Sequence, residues 1–78
     1  LESTLQDSLL QLKRSDRFLA LDVRPGNGPV VANLMRKIKN QDVFTAIGDD
    51  SNVLVVSSSA QGAQELAQYL KRLAEQAG

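Results

Sequence analysis

At 78 residues the chain is long enough for one small domain, and hydrophobic and charged fractions of 42% and 23% are those of a folded globular unit, which excludes a disordered tail. Nine basic and nine acidic residues cancel, so nothing draws the whole molecule to nucleic acid or anionic membrane, and little self-repulsion opposes association. With no cysteine and no histidine, disulfides, the usual zinc sites, thiol nucleophiles and histidine general bases are excluded together.

Leu1, Leu5, Leu9 and Leu12 recur at helical spacing, and Ser3 and Gln6 stand at capping-box separation, which predicts a first helix from Ser3 to about Ser15. Residues 1–16 are thus expected as an N-terminal helix or linker, and residues 17–78 as the folded unit. Phe18-Leu19-Ala20-Leu21-Asp22-Val23 alternates in polarity and reads as a strand, ended by Pro25-Gly26-Asn27-Gly28. Pro29 suits the first turn of a second helix, whose Val31, Leu34, Met35 and Ile38 share a face, with Asn40 and Gln41 at its end. Val43–Ile47 and Val53–Val56 read as strands joined through Gly48-Asp49-Asp50-Ser51-Asn52. Ser57, Ser58 and Ser59 offer caps for a last helix carrying Ala63, Leu66, Ala67, Leu70, Leu73, Ala74 and Ala77 on one side. The expected fold is α+β: a two-layer sandwich with a βαββα core, an extra N-terminal helix, and helices on one face of a three-stranded sheet.

Chemistry-bearing motifs are sparse. Gly26 and Gly28 lie between a strand and a helix, but neither phosphate-loop nor dinucleotide spacing follows, so a turn is expected there. Asp49 and Asp50 could share a divalent cation if Asp22 reached them; a solvated hairpin tip is the plainer reading. Val23-Arg24-Pro25, a glycine-rich turn and Ile47-Gly48-Asp49-Asp50 look like the tail of a trehalose-phosphate phosphatase, but that enzyme's Asp-x-Asp nucleophile is missing and Asn27 stands where it needs Lys. The basic residues Lys13, Arg14, Arg17, Arg24, Arg36, Lys37 and Lys39 could meet phosphates in a KH-like RNA-binding unit, but a KH loop joins two helices and aromatics for stacking are few. No catalytic residue, metal ligand or cofactor is therefore expected, and the chain reads as a non-enzyme.

From Phe18 to Leu73 the pattern resembles the short periplasmic repeat domains of bacterial secretins, which are ring-building, KH-like βαββα units. The matching residues are Val31-Ala32-Asn33-Leu34-Met35, Asp50-Ser51-Asn52-Val53-Leu54-Val55-Val56, and Leu66, Leu70 and Leu73. The resemblance implies an oligomerisation module of a secretion or type IV pilus assembly. Its place would be the periplasm or cell envelope, its partners copies of itself or other envelope-machine proteins, with no nucleic acid and no membrane insertion by this segment. The interface it implies joins Phe18, Ala20 and Asp22 on an open sheet face to helix cations Arg36, Lys37, Lys71 and Arg72 of a neighbour, with Asp49 and Asp50 as further acidic partners. Charged residues aside, a cytoplasmic regulatory or adaptor domain binding a protein through the same face is the alternative. A first residue other than Met points to a piece of a longer chain, in which a signal peptide or anchor could precede this segment.

Overall fold

The computed structural model describes residues 2–38 and 43–77, and its organising element is a four-stranded antiparallel sheet in the order β1-β2-β4-β3. The chain runs α1 (Glu2–Ser8), β1 (Leu9–Ser15), β2 (Phe18–Val23), α2 (Gly28–Arg36), β3 (Val43–Gly48), β4 (Asn52–Ser57) and α3 (Ala60–Ala77). The α+β class and the covered sheet face agree with expectation. The three-stranded sheet and βαββα core do not, because a fourth strand precedes them.

That strand is the second half of the expected first helix. The helix stops at Ser8, and Leu9–Ser15 instead pairs antiparallel with β2, Leu12 opposite Leu21 and Ser15 opposite Phe18. Pairing covers the edge that β2 would otherwise leave open. Asp16 turns the hairpin with φ of 54°, a left-handed conformation that Asp tolerates better than most residues. A bulge between Leu9 and Gln11 brings Leu9 opposite Val23 and Leu12 opposite Leu21, so both leucines lie on the same face despite their odd spacing.

One face of the sheet carries Leu19, Leu21, Val23, Ala46, Val53 and Val55, all buried. Against it lie Val31, Ala32 and Met35 of α2, Ala63, Leu66, Ala67, Leu70 and Leu73 of α3, and Leu5 of α1. Each fully buried leucine here contributes roughly 2 kcal/mol of transfer free energy, so this layer is what holds so small a unit together. Cross-strand partners agree in direction: Leu19 faces Val55 and Leu21 faces Val53, so register and burial reinforce each other. α1 is fastened to α3 by the Gln6 side-chain amide, which donates to the Leu73 carbonyl at 3.2 Å.

The ends of the other helices follow local chemistry. Pro29 sits in the first turn of α2, and Lys37 is its C-cap, so the helix is shorter than expected; Asn40 and Gln41, its expected end, lie outside the described residues. The Ser59 hydroxyl accepts from the Gly62 amide at 3.0 Å, capping α3 with one of the three serines expected to do so.

Candidate functional site

The β3–β4 hairpin is held both by its own bonds and by bonds from elsewhere in the chain. Asp49 folds it: its Oδ1 accepts from the amides of Ser51 at 3.2 Å and Asn52 at 2.9 Å, while its own amide donates to the Asn52 carbonyl at 2.9 Å. These local bonds are what an Asx-type turn offers in place of a continued ladder. Asp50 is held from outside. Its carbonyl oxygen accepts from the amides of both Gly26 and Gly28, at 2.9 and 3.0 Å, and the Val23 amide donates to the Ser51 carbonyl at 2.9 Å.

The two glycines make that clamp possible for different reasons. Gly26 has φ of +89°, which side chains resist, but open space surrounds it. Gly28 has ordinary geometry and no room: a Cβ there would fall on the Asp49 carbonyl oxygen. The turn expected at Pro25–Gly28 is therefore also a seat for the aspartate hairpin. The glycine spacing gave no sign of this, since it concerns a contact across the fold.

Asp49 and Asp50 are both exposed, adjacent carboxylates at the end of the sheet. Asp22 does not join them as a third ligand; it faces Gln11 and Asn52 in the ladder, and among the described residues no group of three or more acidic side chains gathers. A shallow depression of about 310 Å³ opens beside Asp49, with Ala20, Ile47 and Leu54 on its apolar side and Asn52 at its rim. Negative charge next to an apolar shelf suits a ligand with a cationic head and an aliphatic stem.

The residues expected at an interface fall on two sides of the molecule. Phe18, Ala20 and Asp22 do lie on the sheet face turned away from the helices, together with Lys13, Thr45, Ile47, Leu54 and Val56. Phe18 and Leu54 are nearly half exposed and Ile47 is 67% exposed, so this face has an apolar centre. Ala46 is buried under the helices, and Phe44, at the β3 bulge, is 73% exposed. Arg36, Lys37, Lys71 and Arg72 belong to the helix layer. Arg36 donates to the Ala46 carbonyl, Lys37 ends α2, and Lys71 borders a groove between α3 and β1. Leu54 is the residue of this face that the sequence expectation lacks; its signal is alternation with the buried Val53 and Val55.

The family model for the arginine repressor C-terminal domain matches residues 5–72. An arginine repressor of Lactiplantibacillus plantarum is 36% identical over 73 residues, which are 94% of this chain and 48% of that protein, so the chain spans about half the length of the curated relative it matches. These matches overturn the secretin resemblance, and with it the periplasmic or envelope setting, the role in protein transport and the envelope-machine partners. The exclusion of nucleic acid falls as well, because the relative is named as a repressor. The alternative of a regulatory domain stands closer. An Asn-x-Leu-Val-Val strand and apolar helix faces are what any half-covered sheet requires, so those residues carried little family information. The Gly48-Asp49-Asp50 turn keeps both aspartates exposed, as a solvated tip would, while its backbone is clamped by the Gly26 and Gly28 amides.

Proposed function

The chain belongs to the arginine repressor C-terminal domain family, and on that premise we propose that it is the effector-binding and self-associating domain of an arginine-responsive transcriptional repressor, working in the cytoplasm without catalysis. The observation that carries this reading is the exposed Asp49 at the edge of an apolar depression, with the exposed Asp50 next to it in the chain. A guanidinium is the cation best matched to carboxylates, since it presents several N–H donors in a plane and forms charge-assisted bonds worth about twice neutral ones. The three methylenes of arginine fit against Ile47 and Leu54, both partly exposed at the same depression. Fixing the hairpin backbone through Gly26 and Gly28 reduces the ordering cost of binding.

Self-association is supported by the open sheet face. Its exposed Phe18, Ile47 and Leu54 form the apolar centre that interfaces favour, with Lys13 and Asp22 among the polar groups around it. Asp49 lies at one end of that face, so a ligand there would border both the site and the contact between copies. Arginine would then bias assembly, and through assembly the affinity for operator DNA.

Titration calorimetry with L-arginine, L-lysine and L-citrulline tests the ligand. Citrulline keeps the shape and stem but not the charge. Saturable binding of arginine, with citrulline at least about tenfold weaker, is expected for a charge-assisted site. Equal binding of arginine and citrulline, or none of either, rules out the aspartate pair as the recognition element.

A further inference from the structure

Asn27 occupies the N-cap of α2, a position where an asparagine side chain usually accepts from the helix's own amides, yet it makes no cap hydrogen bond. Its side-chain amide donates instead to the hydroxyl of Ser8 at 2.9 Å. Ser8 is the last residue of α1 and is 1% exposed. Next to it, the Arg24 amide donates to the Ser8 carbonyl at 2.9 Å, and the Arg24 guanidinium donates to the Asp7 carbonyl at 2.5 Å. The five-residue loop from Arg24 to Gly28 is thus fastened on one side to the end of α1 and on the other to the Asp50 carbonyl.

We propose that Ser8 and Asn27 are positioning residues that couple the docking of α1 to the geometry of the Asp49–Asp50 hairpin. The inference rests on the reading of that hairpin as the arginine site and adds its regulation. The described turns of α1 are held against α3 through Leu5 and the Gln6 amide, which makes the docking of α1 a natural two-state element. If α1 leaves, Asn27 and Arg24 lose their partners and the loop that clamps Asp50 loosens. Linkage makes the effect reciprocal: a ligand that needs the aspartates fixed strengthens the docking of α1 by the same factor. The Arg24 bonds tie the start of the loop to α1, and the side-chain bond from Asn27 to a buried hydroxyl ties its far end, next to Gly28, to the same helix.

Amide hydrogen exchange on the chain, as wild type and as Asn27→Ala, Ser8→Ala and the double variant, tests this without ligand. Breaking a buried hydrogen bond is expected to raise exchange at the Gly26 and Gly28 amides at least about fivefold in either single variant. Exchange in α1 should rise with it, while Leu21 and Val55 in the central ladder stay protected. The double variant should match the singles, because one contact is removed in each case. Unchanged exchange at Gly26 and Gly28 in both singles, or additive effects in the double variant, overturns the coupling. Ser8→Ala is the milder change and decides the matter if Asn27→Ala does not fold. With arginine added, α1 protection should rise in the wild type and not in Asn27→Ala, whose arginine affinity should fall; a rise of equal size in both also overturns it. If the wild type takes up no arginine, the ligand reading fails by itself, and the ligand-free exchange still decides whether α1 and the hairpin are coupled.

Discussion

Gly48 packs so closely on the Gly28 carbonyl that it has no room for a side chain. A Cβ on Gly48 would sit 2.7 Å from the Gly28 carbonyl oxygen and 3.1 Å from the Ala32 Cβ. This crossing is where α2 meets the end of β3, and the first aspartate follows immediately.

Gly28→Ala is therefore expected to be far worse than Gly26→Ala, although Gly26 is the glycine with the unusual backbone. At Gly28 the obstacle is the backbone of Asp49, which has no rotamer to give way, so a cost of about 3 kcal/mol is expected, at the upper end of overpacking penalties. At Gly26 the strain of a positive φ costs about 1 kcal/mol and nothing collides. Thermal unfolding checks the order: the midpoint should fall by roughly 10–20 °C for Gly28→Ala and by about 5 °C for Gly26→Ala. The reverse order would mean that α2 and the hairpin are not in contact.

Much of this was legible in the sequence and some was not, for reasons visible in single residues. β2, β3, β4, α2 and α3 were readable because each has one clean period and a turn on either side. Leu5, Leu9 and Leu12 misled because the β1 bulge spaces two same-face leucines three apart, which imitates a helix. For the candidate site, the carboxylates of Asp49 and Asp50 were visible as residue types. Their fixation by Gly26, Gly28 and Val23 was not, since it depends on contacts between segments more than twenty positions apart. Arg36 reads as a cation directed at a neighbour's aspartates, but its bond to the Ala46 carbonyl ties it to the backbone of β3.

Charge and turn geometry separate at the aspartates. Asn at position 49 keeps a side-chain oxygen able to accept from Ser51 and Asn52, so Asp49→Asn removes the charge and leaves the hairpin folded. Arginine affinity is expected to drop about 10–100-fold, the range for losing a hydrogen bond to a charged group, while the unfolding midpoint stays within a few degrees. Asp49→Ala should lower both. Asp50→Asn should behave like Asp49→Asn, because Asp50 serves the fold through its carbonyl and not its carboxylate. Calorimetry paired with melting curves checks each; wild-type affinity in both Asn variants would remove the pair from recognition.

The open sheet face is expected to be dispensable for folding and needed for association. Leu54 and Ile47 point away from the helices, so Leu54→Lys and Ile47→Lys should change stability by no more than about 0.5 kcal/mol. A lysine at the centre of an apolar contact, however, must be desolvated without a partner, and assembly should shift toward single chains. Sedimentation velocity over a concentration series checks this. An unaltered mass distribution in both variants would place the self-contact elsewhere on the surface.

The bulge in β1 makes a sharper prediction about a deletion. The cross-strand partners are Leu9 with Val23, Gln11 with Asp22 and Leu12 with Leu21, and Leu10 is the extra residue, 57% exposed. Removing Leu10 leaves those three pairs intact and converts the strand to a regular alternation in which Leu9 and Leu12 still face the core. The loss of stability is expected to stay within about 1 kcal/mol. Removing Lys13 instead disturbs the register next to the hairpin, because Leu12 would move opposite Ala20 or the turn would lose a residue. That deletion should cost at least about 2 kcal/mol, since the shifted register turns both Leu9 and Leu12 to solvent and Gln11 toward the core. Were residues 3–15 one helix, either deletion would rotate everything before it by about 100° and the two would be equally damaging. Urea unfolding of both variants separates the cases, and equal losses would contradict the strand.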